Sequence, residues 1–270
     1  MKTIAVWSPG SAVGKSTLAI ALAHELAQRG LRVAYFDVDV DHPSGKYLLG
    51  DREHPAGVAA IFRLALQGRL TESEFNRLST HISGGRGQWQ FIAGLSTRRR
   101  SAEAQIDALE IVKEEMQERF DYFVFDLASP LQQSCSGKAS PTFTAEVIAS
   151  SDSVLAICGS EPSQIASFLD SWQELTDVVS SPVRIIVNRL KSGVLGVKAR
   201  QQISETLIKM VKVEVQLFIS DAPAEADRAL ASGVPINYLR KGKVRASIAE
   251  LATALIAEHS QPQLAMAKLN

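Results

Sequence analysis

The chain has 270 residues, 46% of them hydrophobic, and its 29 basic and 29 acidic side chains cancel to a formal charge of zero. That length can bury a large α/β core, and neutrality excludes a global basic field for nucleic acid while leaving room for a local patch. Two cysteines, Cys135 and Cys158, are too few for a disulfide framework and lack metal-ligand spacing, so they read as small buried residues in a reducing compartment.

In chain order, short β-rich apolar runs alternate with longer helical patterns. Strands are predicted at 3–8, 32–38, 90–95, 122–127, 153–158, 183–188 and 213–219. Helices are predicted near 15–29, 56–68, 101–119, 142–150, 162–178, 197–210, 223–232 and 244–258. In the first helix Leu18, Leu22 and Leu26, flanked by Ala19 and Ala23, form an apolar stripe that Gly30 terminates. Several strands are apolar on both faces, as parallel strands covered by helices on each side must be. The rhythm predicts an α/β fold with one doubly wound, mainly parallel sheet and helices on both faces, its ligands at the carboxyl ends of the strands. Gly84, Gly85 and Gly87 make 79–89 read as a mobile loop, and 128–141 reads as a second loop rich in Ser, Pro and Gly. With no repeat or linker, residues 1–258 read as one domain and 259–270 as a poorly packed tail. No apolar run approaches the roughly 20 residues of a membrane span. MKTIAVW carries no secretion-signal pattern either, so a cytoplasmic protein is expected. Residues 259–270 show no strong basic-plus-aromatic face, which leaves peripheral membrane contact weakly supported.

The functional signal begins directly after the first strand, with S-P-G-S-A-V-G-K-S-T at 8–17. It follows the phosphate-loop pattern G-x-x-x-x-G-K-[ST], except that Pro9 replaces the leading glycine. Such a loop needs backbone N–H groups converging on an anion, a lysine for the β/γ phosphates and a hydroxyl for Mg²⁺. Gly14, Lys15 and Ser16 supply the essential end, and Thr17 adds a hydroxyl near the α-phosphate. Gly10, Ser11, Ala12 and Val13 are small enough for the backbone to wrap a phosphate. The alternative is a Gly/Ser turn with an incidental lysine. Strand 2 ends in F-D-V-D-V-D-H-P-S-G, with Asp37, Asp39 and Asp41 at alternate positions. A carboxylate there can orient an attacking water or hold Mg²⁺ through water, or belong to a solvated acidic turn. Asp126 closes F-D-Y-F-V-F-D and reads as a metal-supporting carboxylate at a strand end, or as a turn or capping aspartate.

These three segments in this order resemble the MinD/ParA family of P-loop ATPases, with a deviant phosphate loop. The resemblance extends over about residues 2–257 and includes V-N-R at 187–189 and S-D-A-P-A-E-A-D-R-A-L-A-S-G-V-P-I at 220–236. It implies ATP/ADP and Mg²⁺ as ligands. Lys15 would bind the β/γ phosphates, Ser16 would ligate Mg²⁺, and Asp37 and Asp126 would support the metal. Asp39 would position the hydrolytic water, Asn188 would read adenine, and Ala222 and Pro223 would border it. Members resemble switches in which ATP is sandwiched between two subunits, so an ATP-dependent homodimer with an unidentified protein cargo is implied. One departure stands out. The family's signature lysine, which reaches across the dimer, falls at Gly10; Arg86, Arg98, Arg99 or Arg100 would have to supply that charge.

CpaE- and TadZ-like localisation proteins often depart at this lysine, although they usually carry an additional N-terminal receiver-like domain. Three readings follow: a slow switch-type ATPase that positions pilus, secretion, division or partition machinery; a nucleotide-binding scaffold with little hydrolysis; and a partition ATPase with non-specific DNA affinity. The last rests on basic residues within 184–200 and 240–245 and is opposed by net neutrality. A tyrosine-free C-terminus opposes a kinase of this family, and the cysteine positions oppose an iron–sulfur member.

Overall fold

The computed structural model describes residues 1–50, 57–84, 87–135, 138–191, 196, 198–238 and 242–260. Eight strands form one sheet in the order β10-β9-β8-β1-β5-β2-β4-β3. They are β1 (Lys2–Trp7), β2 (Val33–Val38), β3 (Thr80–Gly84), β4 (Gly87–Ile92), β5 (Tyr122–Leu127), β8 (Ser153–Gly159), β9 (Val183–Leu190) and β10 (Val215–Ser220). Every pairing is parallel except β3–β4. A separate hairpin joins β6 (Gln132–Cys135) to β7 (Lys138–Pro141).

Because successive strand side chains point to opposite faces, the apolar strands feed two cores. Ile4 and Val6, Val33 and Tyr35, and Tyr122 and Val124 pack beneath α1 (Lys15–Gln28) and α11 (Lys243–His259). Ala5 and Trp7, Ala34 and Phe36, and Phe123 and Phe125 face α3 (Gly57–Leu66), α5 (Ile106–Met116) and α6 (Phe143–Ala149). Parity therefore sends Asp37 and Asp126 to the α1 side, and the register makes them direct neighbours across β2 and β5. Helices α2 (Gly45–Leu48), α4 (Glu72–Leu78), α7 (Pro162–Asp170), α8 (Trp172–Val178), α9 (Ala199–Val211) and α10 (Pro223–Ser232) complete the two layers.

Several expectations need correction. The 79–89 loop is the β3–β4 hairpin, with 85–86 outside the described residues. Gly87 marks close packing rather than mobility: a Cβ there would lie 2.3 Å from the Leu31 carbonyl oxygen and 2.5 Å from that of Ala27. The 128–141 loop contains β6 and β7. The 101–119 helix is a 3₁₀ turn over Arg98–Glu103 followed by α5, because Gln105 is extended at φ −124° and ψ 134°. The 162–178 helix divides at Ser171 into α7 and α8. Helix α1 is buried around most of its circumference, from Leu18 to Ala23, instead of along one stripe. The chain is packed past residue 258: the His259 ring lies 3.2 Å from Ser153 Oγ and 3.3 Å from Tyr122 Oη, while 261–270 lie outside the described residues. No described helix is long and apolar enough to cross a membrane. Cys158 is buried and its thiol is pushed up to about 12 by burial, so it is inert packing; the Cys135 side chain lies outside the described residues.

A buried histidine, His24, and a half-buried one, His259, favour acid sensitivity of the fold. Burial, followed by the charge of Arg245, lowers His24 to about 4, and the ring accepts a 3.2 Å bond from Trp89 Nε1. His259 is also lowered to about 4, chiefly by burial. The folded state resists protonation while an unfolded histidine takes its proton near pH 6.5, so stability falls as pH drops from about 6.5 to about 4 and then levels for these groups. Urea unfolding across that range is expected to show a loss on the order of 2–3 kcal/mol from His24. His24→Gln, which keeps an acceptor for Trp89, should flatten the profile; an unchanged slope would contradict the assignment.

Candidate nucleotide-binding site

Loop 8–14 leaves β1 and turns into α1 through Gly14, which adopts φ +83°. Only glycine fits there: a Cβ would also lie 2.6 Å from Asn188 Nδ2. Gly10, by contrast, has no atom within 4 Å of a would-be Cβ, so side-chain space is open where the family's lysine would stand. The loop is braced by β9. Asn188 Nδ2 donates to the Val13 carbonyl at 2.8 Å, and Arg189 Nη1 donates to the Ala12 carbonyl at 2.7 Å. Ala12 and Arg189 both have positive φ, 61° and 55°, a non-glycine conformation that costs energy and gathers where function constrains the backbone. With no acidic side chain in its first turn, α1 presents bare N–H groups and the positive end of its dipole to the cleft.

Lys15 is buried and held by two carboxylates, Asp126 Oδ1 at 2.7 Å and Asp39 Oδ2 at 3.2 Å. Burial opposes its charge, but Asp126 and Asp39 outweigh that cost and raise its pKa above the ordinary lysine value. Asp126 Oδ2 accepts a 3.0 Å bond from Tyr35 Oη, which burial and the surrounding carboxylates hold well above the ordinary tyrosine pKa. Asp37 is enclosed beside them. Burial and the adjacent Asp126 charge raise its pKa well above the carboxylate range, with Oδ2 accepting from Gly45 N at 2.7 Å and Oδ1 without a hydrogen-bond partner among the described residues. Just past β2, Asp39 Oδ1 accepts the amides of Asp41 at 3.0 Å and His42 at 2.8 Å. That turn carries Asp41 off the strand line, where it pairs with Arg98 at 2.7 Å.

Two cavities adjoin at the start of α1. Gly10, Ser11, Ala12, Val13, Gly14, Lys15, Ser16 and Thr17 line a cleft of about 570 Å³ with Asp39, Asp41, His42, Ser44 and Arg98. Gly14 and Thr17 also line the second, a pocket of about 230 Å³ walled by Leu18, Ile219, Ile236 and Val244 and by Asn188, Ala222 and Pro223. The residues named for the nucleotide and metal, Gly10 to Thr17 with Asp39, Asn188, Ala222 and Pro223, line these two adjoining cavities, and of the candidate arginines Arg98 lines the cleft. Asp37 and Asp126 form its floor. In the sequence Tyr35 is not singled out, and Arg189 has no role at the loop, only a place in the V-N-R segment and among the basic residues of 184–200. Its neighbour Asn188 and the V-N-R segment were the available signal.

The donor set fits Mg²⁺ in a restricted way. The described residues hold no cluster of three metal-binding side chains. Mg²⁺ characteristically takes one or two carboxylates plus phosphates and waters, so a phosphate-completed shell is compatible with that arrangement. Ser16 faces the cleft, whereas Asp126 is occupied by Lys15 and Tyr35 and Asp37 is protonation-prone and enclosed.

The basic residues of 184–200 do not form one patch. Arg184 pairs with Glu258 near the opposite end of β9 from Arg189, Lys191 pairs with Glu161 at 2.6 Å, and Arg200 stacks over Phe218 at 5.6 Å. Arg240 and Lys241 lie outside the described residues, as does Arg86.

No curated protein sequence matches the chain. Among solved structures it resembles a ParA family ATPase from Chlorobium tepidum TLS, with a TM-score of 0.76 and 18% identity, covering 94% of this chain and 98% of that one. It also resembles a chain of the MinC:MinD cell division protein complex of Aquifex aeolicus (TM-score 0.71, 19% identity, 97% and 98% covered). The septum site-determining protein MinD from Pyrococcus horikoshii OT3, complexed with Mg-ADP, gives a TM-score of 0.70 at 16% identity over 97% and 99% of the two chains. At such identities the likeness establishes the fold. Residues 4–232 match the CobQ/CobB/MinD/ParA nucleotide binding domain, and the chain belongs to that family.

Proposed function

We propose that this protein is an ATP-binding, slowly hydrolysing, Mg²⁺-dependent switch that dimerises on ATP and positions cellular machinery. The observation that carries the reading is the pair of cavities meeting at Gly14 and Thr17, one partly apolar and sized for a base, the other centred on Lys15 and the helix N-terminus. The fold-level relative with Mg-ADP supports the same ligand class.

In this reading Asn188, Ala222 and Pro223 hold the adenine, and the amides of Gly10 to Thr17 surround the phosphates. Lys15 moves its charge from Asp39 and Asp126 to the β/γ phosphates. Ser16 would contribute its hydroxyl to Mg²⁺ and Asp126 would support the metal, while Asp37 holds the Gly45 amide. Mg²⁺ supplies neutralisation of phosphate charge when bound. Asp39, freed from Lys15, orients the attacking water. Exposed Tyr47, Leu230 and Tyr238 stand on elements packed around this face and suit a partner or a second copy. Gly10 favours a second reading, a nucleotide-dependent scaffold with little hydrolysis, because no cation stands at that position. CpaE- and TadZ-like proteins often depart at the same lysine, which is the ground for placing this chain beside them.

Light scattering with and without MgATP, run beside phosphate release, separates these readings: a mass increase with slow release is expected, and a mass increase without release selects the scaffold. Titration calorimetry should give measurable MgATP binding, and no binding into the millimolar range would overturn the site. Lys15→Ala is expected to weaken ATP binding about 100-fold or more and to cost roughly 3–5 kcal/mol of stability, because it leaves buried carboxylates unpaired. Ser16→Ala, which disturbs no described ion pair, should weaken binding only when Mg²⁺ is present. Asp39→Asn keeps the acceptor for Asp41 and His42; it should retain MgATP binding while cutting phosphate release about 100-fold. Unchanged turnover would remove Asp39 from the mechanism.

A further inference from the structure

Within the cleft, the two cations are differently committed. Lys15 is buried against two carboxylates, whereas Arg98 is two-thirds exposed, with a side-chain accessibility of 67%, and pairs with Asp41. The run Arg98–Arg99–Arg100 is not three equivalent arginines. Arg100 turns to Glu103 at 2.5 and 2.7 Å and to Ser96, and of the three only Arg98 lines the cleft. The base pocket is lined by Asn188, Gly14 and Thr17 but not by Arg98, whereas the adjoining cleft brings Arg98 together with Lys15, Asp39 and Asp41. A polyphosphate extending from that pocket into the cleft would place its terminal phosphate among these groups.

We propose that Arg98 is the terminal-phosphate sensor of this site, exchanging the Asp41 carboxylate for the γ-phosphate and so distinguishing a nucleoside triphosphate from a diphosphate. The inference rests on the nucleotide-binding reading above. An arginine fork that accepts a carboxylate also accepts two oxygens of a phosphate, so Asp41 occupies the position of the ligand's anion. The exchange is inexpensive on the arginine side, because a pair made by an exposed guanidinium has little net worth; Asp41, 21% accessible, stays at the cleft wall. The exchange also reaches the catalytic side: the Asp41 amide hangs on Asp39 Oδ1, so freeing the Asp41 side chain loosens the turn that Asp39 anchors. A diphosphate, stopping short, leaves the Arg98–Asp41 pair intact.

The test is calorimetric titration of the full chain with Mg-AMPPNP and with Mg-ADP, for wild type, Arg98→Ala and Arg99→Ala. Arg98→Ala is expected to weaken AMPPNP about 10-fold or more, the range for a charge-assisted bond, while ADP affinity shifts about twofold or less. Arg99→Ala should leave both affinities unchanged, and thermal unfolding should coincide for all three proteins. Equal loss for both nucleotides, no loss for either, or the same selective loss in Arg99→Ala would overturn the sensor. Wild-type protein that binds neither nucleotide would instead overturn the nucleotide reading itself, and the sensor with it.

Discussion

The Lys15 ammonium, held between Asp126 and Asp39 at 2.7 and 3.2 Å, is the interaction on which this site depends. Two strands deliver Asp37 and Asp126 side by side into the core beneath α1, an arrangement that mutual repulsion and lost hydration disfavour. The protein resolves it with unequal partners. Asp126 receives Lys15 and Tyr35, Asp39 receives Lys15 and two backbone amides, and Asp37, with one amide bond and a raised pKa, is driven towards its neutral form. One ammonium thus stabilises a floor that would otherwise resist folding, and the same ammonium is the group an incoming phosphate would recruit. In the proposed function, ligand binding and core electrostatics would be coupled through this single side chain.

The surrounding fold keeps that coupling in place. β1 lies between β5 and β8, so the loop leaving it opens at the centre of the sheet, with β2 beyond β5 and β9 beyond β8. β2 and β5 bring carboxylates from one side, while β9 brings Asn188 and Arg189 from the other to brace the loop's carbonyls. Positive φ at Ala12 and Arg189 is tolerated because each is fastened to the other's element, a local cost carried by the tertiary structure.

Much of the scaffold was legible from periodicity. Strand 122–127 and helix 223–232 lie where the pattern places them, because a fully buried apolar run and a proline-led amphipathic helix are strong local signals. The misreadings share a cause. Gly84, Gly85 and Gly87 looked like loop residues, yet Gly87 is small because β4 passes the carbonyls at the end of α1, a contact far away in sequence. The 128–141 segment instead pairs as the β6–β7 hairpin, and Gln105 is extended inside a helical pattern, neither of which side-chain periodicity encodes.

By itself the sequence determined the alternating α/β order, the loop that ends in Gly14, Lys15 and Ser16, and the set of aspartates at strand ends, because each is written in neighbouring residues. Only the tertiary structure decided what those residues do to one another. Asp37, Asp39 and Asp126 look alike along the chain; strand register and burial make one an enclosed anchor of Gly45, one the hinge of a turn, and one the partner of Lys15 and Tyr35. Likewise three consecutive arginines are indistinguishable until the turn at Arg98–Glu103 aims the first at the cleft and pairs the third with Glu103. Charge identity is local, but its partner, solvation and direction depend on groups that only the folded chain brings together.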